Sequence, residues 1–169
     1  MAPANLARWL ALLTPLALLG GAYGAQLIGH LYPCEMCWWQ RYPHFAALVP
    51  ALLAFLAPQG PFRTLLVLAA GALIAVSGAI GVFHAGIEYH WWPGVTPCTS
   101  TAKLGGTPEE MLAQLMRAPI IRCDVAQWKF AGISLAGFNA IISLGAAVVI
   151  FALAGRTTFA RDARGGSRA

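Results

Sequence analysis

The feature that most constrains this chain is a series of four apolar stretches that approach or reach the length needed to cross a lipid bilayer. A membrane-spanning helix needs about 20 largely apolar residues. The stretches cover residues 9–28, 38–57, 64–87 and 132–154. Pro43 and Pro50 interrupt the second stretch, which membrane helices tolerate when neighbours satisfy the freed carbonyls. The pattern predicts an all-α integral membrane protein built as a four-helix bundle. Small residues are expected to let these helices approach closely, at Gly20, Gly24, Gly71, Gly78, Gly137 and Gly145.

The composition agrees with a lipid environment. Of the 169 residues, 59% are hydrophobic and only 10% are charged, whereas soluble domains contain about 45–50% apolar and about 25% charged residues. A soluble fold of this size still exposes about a third of its chain, so it could not hide this much apolar surface. The net charge is +5, but the basic residues form no interleaved basic and aromatic patch. We therefore expect a lipid bilayer, and no nucleic acid, as a partner.

The basic residues suggest an orientation. Six flank one side of the predicted spans and five flank the other: Arg8, Arg63, Arg156, Arg161, Arg164 and Arg168 against Arg41, Lys103, Arg117, Arg122 and Lys129. Because Lys and Arg favour the cytoplasmic side and long loops count for less, we place both termini in the cytoplasm. This gives one transmembrane domain over residues 1–155 and a basic cytoplasmic tail over residues 156–169.

The first stretch has an alternative interpretation as a cleaved signal peptide. Arg8 would supply the positive start, and the small residues around Ala22 and Gly24 a cleavage site. The apolar stretch continues to Ile28, which is longer than a signal core needs. Retention as a span is the favoured interpretation.

A short amphipathic helix is predicted in the second outer loop. Thr107 suits a helix cap and Pro108 the first helical position, and acidic residues follow. The apolar residues Met111, Leu112, Leu115 and Met116 then recur at helical spacing. The helix either packs on the bundle or lies in the membrane interface, and flanking tryptophans favour the interface.

Four cysteines lie outside the apolar spans, in the two outer loops. Cys34 and Cys37 form a C-x-x-C motif that opens a helix, and a helix start and a nearby cation both lower a thiol pKa. Arg41 follows Cys37 by one helical turn and so shares its face. A cation at the membrane edge is a functional candidate. The motif therefore predicts disulfide exchange.

The second cysteine pair, Cys98 and Cys123, has 24 residues between its members. This spacing, without a regular histidine pair, disfavours a zinc site, and we predict no metal. A disulfide that merely closes the loop is an open alternative. Such a staple is also compatible with an exchangeable disulfide.

Histidines near the outer end of the third stretch are further candidates. His84 should face the start of the second stretch, so that His84 and Arg41 line one pocket. Glu88 and His90 are expected to be solvated at the loop entrance.

The segment Pro33-Cys34-Glu35-Met36-Cys37-Trp38-Trp39-Gln40-Arg41 resembles the first-loop signature of the disulfide bond formation protein B (DsbB) family. The resemblance extends over four spans and a second outer loop with two widely spaced cysteines. Vitamin K epoxide reductases share the bundle, but their loop cysteine pair precedes the C-x-x-C. Residues within and after the motif, Glu35, Met36, Trp38 and Trp39, differ from the best-known members, which bears on redox poise and partner choice.

The resemblance implies an activity and a place for it. The family passes electrons from the periplasmic oxidant DsbA to a membrane quinone, ubiquinone or menaquinone, and so keeps the bacterial periplasm oxidising. It implies that Cys98 exchanges with DsbA, Cys123 with Cys34, and that Cys37 faces the quinone with Arg41 and His84. The protein would lie in the bacterial inner membrane, with its cysteine loops in the periplasm. The alternative hypothesis is a non-enzymatic membrane scaffold or channel subunit whose cysteines staple its loops.

Overall fold

The chain is mostly helical. The computed structural model describes residues 2–96, 106–117 and 121–165. The helices, in chain order, are α1 (Pro3–Leu27), α2 (Glu35–Leu56), α3 (Pro61–Glu88), α4 (Pro108–Arg117) and α5 (Leu135–Gly165). Two short strands, β1 (Lys129–Phe130) and β2 (Ile133–Ser134), lie between α4 and α5.

The ends of the helices follow from local sequence. Pro3 and Pro61 occupy the first positions of α1 and α3, where a missing N–H leaves nothing unpaired. Cys34 caps α2, because its sulfur accepts a hydrogen bond from the backbone N–H of Cys37. The C-x-x-C motif therefore opens a helix, as the sequence predicts, and α2 continues through Pro43 and Pro50.

The four long helices pack against one another through small residues. Helix α3 contacts α1, α2 and α5, and α1 also contacts α2 and α5. The buried core at one end is rich in alanine: Ala7, Ala11, Ala47, Ala51, Ala54, Ala70 and Ala147. A methyl group added at Gly78 would lie 2.8 Å from Leu144, and one at Gly71 3.1 Å from Ile150. These two glycines allow α3 and α5 to approach closely.

Other glycines with the same expected role do not have it. A Cβ built at Gly20, Gly24 or Gly145 would meet nothing within 4 Å. The expectation that these three glycines support close helix approach is therefore wrong. Their stretches are apolar all round, so the sequence did not show which side of each helix faces a neighbour.

Within the described residues, three helices are long and apolar enough to cross a membrane: Pro3–Leu27, Pro61–Glu88 and Leu135–Arg156. Many large apolar side chains on these helices are exposed, among them Leu13, Leu16, Leu65, Ile141 and Val148. A lipid environment accounts for this exposed surface. Helix α2 covers the predicted second span but is not among the three, and its membrane crossing stays a prediction.

A β-hairpin departs from the expectation of an all-α chain. Lys129 pairs with Ser134 and Phe130 with Ile133 in antiparallel register. Gly132 adopts a φ of 81°, which suits glycine in a tight turn. The Tyr89 hydroxyl donates to the Gly132 carbonyl and accepts from the Ser134 N–H, both at 2.9 Å. The hairpin is therefore held to the end of α3.

The amphipathic helix of the second loop is present as α4. Thr107 and Glu110 form a reciprocal capping box, in which the Glu110 N–H donates to the Thr107 hydroxyl and the Thr107 N–H to the Glu110 carboxylate. Met111, Leu112 and Met116 are exposed. The structure does not place a bilayer, so the interfacial location stays a prediction. The side chain of Leu115 and all of Cys98 lie outside the described residues.

Candidate active site

The two cysteines of the C-x-x-C motif lie at the start of α2. The Sγ atoms of Cys34 and Cys37 are 3.0 Å apart. The Cys37 N–H lies 3.4 Å from the Cys34 sulfur and donates to it. Cys34 is buried, whereas Cys37 is half-buried. One helical turn thus holds both sulfurs where a disulfide can form with little movement.

Cys123 reaches the same place from the second outer loop. The Cys34 sulfur, the Cys123 sulfur and a ring nitrogen of His84 all lie within 4.8 Å of one another. Cys123 is completely buried, and the Thr96 hydroxyl donates to its sulfur at 3.6 Å. Cys34 therefore has one potential exchange partner on its own helix and a second on a distant loop.

The cysteines of the first loop have opposite protonation tendencies. Both precede residue 38, where the predicted second span begins. The neighbouring Cys123 and Cys37 side chains, together with burial, raise the pKa of Cys34. The hydrogen bond from Cys34 lowers the pKa of Cys37. These shifts favour a proton on Cys34 and a thiolate on Cys37.

His84 is oriented by an amide whose own direction is fixed. Nε2 of Gln40 donates to the Met36 carbonyl at 3.2 Å, so this atom must be the NH₂ group. The same group lies 2.8 Å from Nδ1 of His84 and donates to it. Neutral His84 then carries its proton on Nε2. This nitrogen lies 3.6 Å from the Cys34 sulfur and 3.8 Å from Oε1 of Glu88.

The hydrogen bonds continue from Gln40 into the centre of the helices. Nδ2 of Asn139 donates to Oε1 of Gln40 at 2.9 Å and to the Ser77 carbonyl at 3.1 Å. Oδ1 of Asn139 accepts from Nε2 of His44 and from the Ser143 hydroxyl, each at 3.0 Å. The site residues predicted from the sequence do not include Gln40, His44 or Asn139. The sequence could have indicated these three residues, because polar side chains inside apolar spans are functional candidates.

Arg41 is buried and directed towards α1. Its Nη1 donates to Oε1 of Gln26 at 2.7 Å, and its Nη2 to the Ala22 carbonyl at 3.3 Å. The guanidinium lies 4.8 Å from the ring centre of Tyr23 and 4.9 Å from that of Trp38. Cation–π contact of this kind holds a guanidinium in place when it is desolvated. The structure thus shows Arg41 anchored between two helices.

A cavity of about 610 Å³ connects these groups. Its polar lining includes Cys34, Cys37, Gln40, Arg41, His44, His84 and Glu88. Its apolar lining comes from α1, α5 and both outer loops and includes Leu13, Leu18, Leu31, Val125, Trp128 and Ile142. His84 and Arg41 thus line one cavity, as the sequence predicts.

His90 and Glu88, both expected to be solvated at the loop entrance, differ in their exposure. His90 is exposed, but the Glu88 side chain is only 8% exposed. The expectation that Glu88 is solvated is therefore wrong. The final turn of α3 lies beneath the second loop and the hairpin, which cover the carboxyl group.

The sequence pattern that defines the family "Disulfide bond formation protein DsbB" matches residues 4–153. The chain belongs to the DsbB family. It is 29% identical over 150 residues to "Disulfide bond formation protein B" of Marinobacter nauticus, covering 79% of this chain and 83% of that protein. It is also 25% identical over 128 residues to an uncharacterised protein of Rickettsia prowazekii, covering 75% of this chain and 73% of that protein. No solved structure matches the chain.

Membership in the DsbB family supports a role in disulfide bond formation and implies disulfide oxidoreductase activity. It also supports a membrane location, in agreement with the three apolar helices. The scaffold hypothesis accounts for neither the family nor the sulfur geometry, because a loop staple does not require Cys34 close to both Cys37 and Cys123.

Proposed function

We propose that this DsbB-family protein reoxidises a periplasmic DsbA-like thiol oxidant and passes the electrons to a membrane quinone. The observation that carries the proposal is the position of Cys34. Its sulfur lies 3.0 Å from that of Cys37 and within 4.8 Å of that of Cys123, beside the cavity. This arrangement supports electron transfer from the second loop to the first by disulfide exchange.

The first half of the reaction takes place on the second loop. A thiolate of the reduced partner attacks Cys98 in a Cys98–Cys123 disulfide, and Cys123 leaves as a thiolate. The second thiol of the partner then attacks the mixed disulfide. The partner departs oxidised. Cys98 takes the proton of that second thiol and Cys123 takes one from water, so that the two cysteines retain the two electrons as thiols. Complete burial of Cys123 supports Cys98 as the cysteine that meets a soluble protein.

The second half moves these electrons to the first loop. The Cys123 thiolate attacks Cys34 in the Cys34–Cys37 disulfide, and Cys37 leaves as a thiolate. Cys98 then attacks Cys123, which restores the Cys98–Cys123 disulfide and releases Cys34. Re-forming the Cys34–Cys37 disulfide from the Cys34 thiol and the Cys37 thiolate releases two electrons and one proton, and the second proton of a hydroquinone would come from water. A bound quinone supplies the acceptor for them.

The cavity fits a quinone, because it combines apolar walls with a few polar groups. The apolar lining from α1 and α5 suits an isoprenoid chain. Arg41 carries five N–H donors, and Gln26 and Ala22 accept from its two terminal nitrogens, so further N–H groups are available to a carbonyl. The Nε2–H of His84 is a second donor. Arg41 and His84 would hold the head group beside Cys37, and ubiquinone and menaquinone both have the required carbonyls.

The proposed location follows from the acceptor. A lipid-soluble quinone requires a site within a membrane, and we propose a single domain over residues 1–155 with four spans in the bacterial inner membrane. Both termini and the basic tail would be cytoplasmic, and the cysteine loops periplasmic. Helix α5 extends through Gly165, so the tail begins as a continuation of the last helix.

The test is a coupled assay on the full-length protein in detergent. A reduced thioredoxin-fold partner and a soluble quinone are supplied together, and loss of partner thiols is followed alongside quinone reduction. We expect one quinone reduced per partner disulfide formed, and loss of both signals in Cys34→Ser. Cysteines that resist mild reductant in the folded protein, with no quinone reduction, would support the scaffold hypothesis instead.

A further inference from the structure

The exchange between the two loops requires a proton to move as well as electrons. Cys123 must lose its thiol proton before it can attack Cys34, because the thiolate is the nucleophile. Cys34 must gain a proton after Cys98 displaces it, because its neighbours disfavour the thiolate. Cys98 gives its own thiol proton to water before it attacks Cys123, so the net transfer within the protein is one proton from Cys123 to Cys34. Both sulfurs are buried, so a group within the protein is needed to carry it.

His84 is close to both sulfurs but is badly arranged for this task. Its Nδ1 lone pair accepts the N–H of Gln40, and its Nε2 already carries a proton. Protonation at Nδ1 would place the new Nδ1–H of His84 opposite the N–H of Gln40, and two donors cannot form a hydrogen bond. The Gln40 amide cannot easily reverse, because it also donates to the Met36 carbonyl and accepts from Asn139. His84 is therefore a fixed hydrogen-bond donor.

Glu88 is a second ionisable group beside His84. It lies one helical turn beyond His84, with Oε1 3.8 Å from Nε2 of His84. Its Oε2 is buried and has no hydrogen-bond partner among the described residues. Burying a carboxyl oxygen without a hydrogen bond lowers the stability of the folded protein, so such an atom requires an explanation. A carboxyl group that gains and loses a proton during the reaction provides one.

We propose that Glu88 carries the proton that passes from Cys123 to Cys34 during exchange between the loops. This inference rests on the proposed function, because it concerns the exchange step of that reaction. Glu88 takes the proton of the Cys123 thiol, and the Cys123 thiolate attacks the Cys34–Cys37 disulfide to release the Cys37 thiolate. When Cys98 displaces Cys34, the Glu88 carboxylic acid returns the proton to the Cys34 thiolate.

The surroundings of Glu88 suit a reversible change of charge. His84 faces it from the same helix, and Cys37 from α2 is close enough to interact electrostatically. Cys123, Lys129 and Ser134 face it from the second loop and the hairpin. The positive charge of Lys129 and the Ser134 hydroxyl stabilise a carboxylate, whereas a negative charge on the Cys37 or Cys123 sulfur stabilises the acid. The acid form is thus favoured when a thiolate has just been made nearby.

The test measures the exchange step alone, in full-length Cys98→Ala protein without partner or quinone. The protein starts with a Cys34–Cys37 disulfide and a Cys123 thiol at acidic pH, where exchange is slow. After a pH jump and acid quench, peptide mapping by mass spectrometry follows the Cys34–Cys123 disulfide. The rate is measured from acidic to alkaline pH, with Glu88→Gln, Glu88→Asp and Glu109→Gln in the same background. Glu109 is an exposed acid of α4 and is the matched control.

We expect Glu88→Gln to slow exchange about a hundredfold near neutral pH, the usual effect of losing a positioned proton acceptor. Its rate should then rise about tenfold per pH unit and approach the parent rate at alkaline pH, where hydroxide replaces the carboxylate. Glu109→Gln should match the parent. Glu88→Asp keeps a carboxyl group and should keep the parent's pH profile. If Glu88→Gln does not fold, the pH profile of Glu88→Asp still tests the inference.

Two results would overturn the inference. Exchange in Glu88→Gln within twofold of the parent would show that the carboxyl group carries no proton. Equal slowing at every pH would show that Glu88 only supports the local structure. Neither result bears on quinone reduction, whereas a protein that exchanges normally but never reduces quinone would contradict the proposed function and leave Glu88 in place.

Discussion

The sulfur of Cys34 caps the helix that carries Cys37, and the two sulfurs lie 3.0 Å apart. Cys34 therefore has two roles in the reduced protein, because it accepts the Cys37 backbone N–H and its thiol donates to the Cys37 sulfur. The contact between the two sulfurs favours a thiolate on Cys37 and a proton on Cys34.

The first prediction concerns the ionisation of this pair. The hydrogen bond from Cys34 lowers the pKa of Cys37, so Cys37 should be a thiolate below the usual pH range of a thiol, and Cys34 should not. Iodoacetamide labelling of the reduced protein across pH, read by mass spectrometry, should modify Cys37 first. Cys34→Ala removes the hydrogen bond and should shift Cys37 labelling to higher pH. Earlier labelling of Cys34 would reverse the assignment.

The second prediction concerns Arg41. A charge-assisted hydrogen bond is worth about 1.5–3 kcal/mol, so Arg41→Ala should weaken quinone binding about ten- to a hundredfold. Arg41→Lys should be intermediate, because a point charge cannot reproduce the fork that reaches Gln26 and Ala22. The measurement is the KM for quinone. Arg63→Ala is the matched control, because Arg63 instead binds the Ala57 carbonyl at the α2–α3 connection. An unchanged KM in Arg41→Ala would remove Arg41 from the site.

The third prediction concerns the contact between α3 and α5. A methyl group at Gly78 would lie 2.8 Å from Leu144, so Gly78→Ala should destabilise the protein by about 1–3 kcal/mol. Gly145→Ala, on the facing helix, meets nothing within 4 Å and should be neutral or slightly stabilising. Thermal unfolding in detergent measures both. Equal Tm values for the two variants would contradict the packing of α3 on α5.

The fourth prediction separates the two cysteines of the second loop. Because Cys123 is completely buried, a soluble partner should form its mixed disulfide with Cys98. A Cys123→Ser protein should accumulate the mixed disulfide with a DsbA-like partner, visible on non-reducing gels, and Cys98→Ser should not. Accumulation in Cys98→Ser instead would mean that the partner reacts with Cys123.

The fifth prediction concerns the exposed face of α4. If Met111 and Leu112 anchor this helix in the membrane interface, each contributes apolar burial of about 1–2 kcal/mol. Changing both to Asp should release the helix and slow formation of the Cys34–Cys123 disulfide, while attack of the partner on Cys98 is spared. Changing the exposed Glu109 and Glu110 of the same helix to Gln is the control, and should leave the exchange rate unchanged. Equal rates in both double variants would argue against anchoring.

The sequence by itself determined the parts that depend on local pattern. Apolar length predicted the long helices, because spanning a bilayer requires about 20 apolar residues. The C-x-x-C before an apolar stretch predicted a motif at a helix start, and Thr107-Pro108 predicted α4. The sequence also showed candidate site residues as polar or reactive side chains. Four of them lie near the ends of apolar spans, namely Cys34, Cys37, Arg41 and His84, and Cys123 lies in the second outer loop.

Only the tertiary structure decided which of these groups meet. Spacing along the chain does not show how a distant loop returns, so the approach of Cys123 to Cys34 was implied by the family resemblance and not by the residue pattern. The direction of Arg41 towards Gln26, the burial of Glu88 and the Gln40–His84 hydrogen bond also depend on how the helices are rotated about their axes. Nearly uniform apolar stretches carry little information about that rotation. It is decided by packing at Gly71 and Gly78 and by the buried hydrogen bonds of Asn139, each of which requires residues from different helices to be brought together.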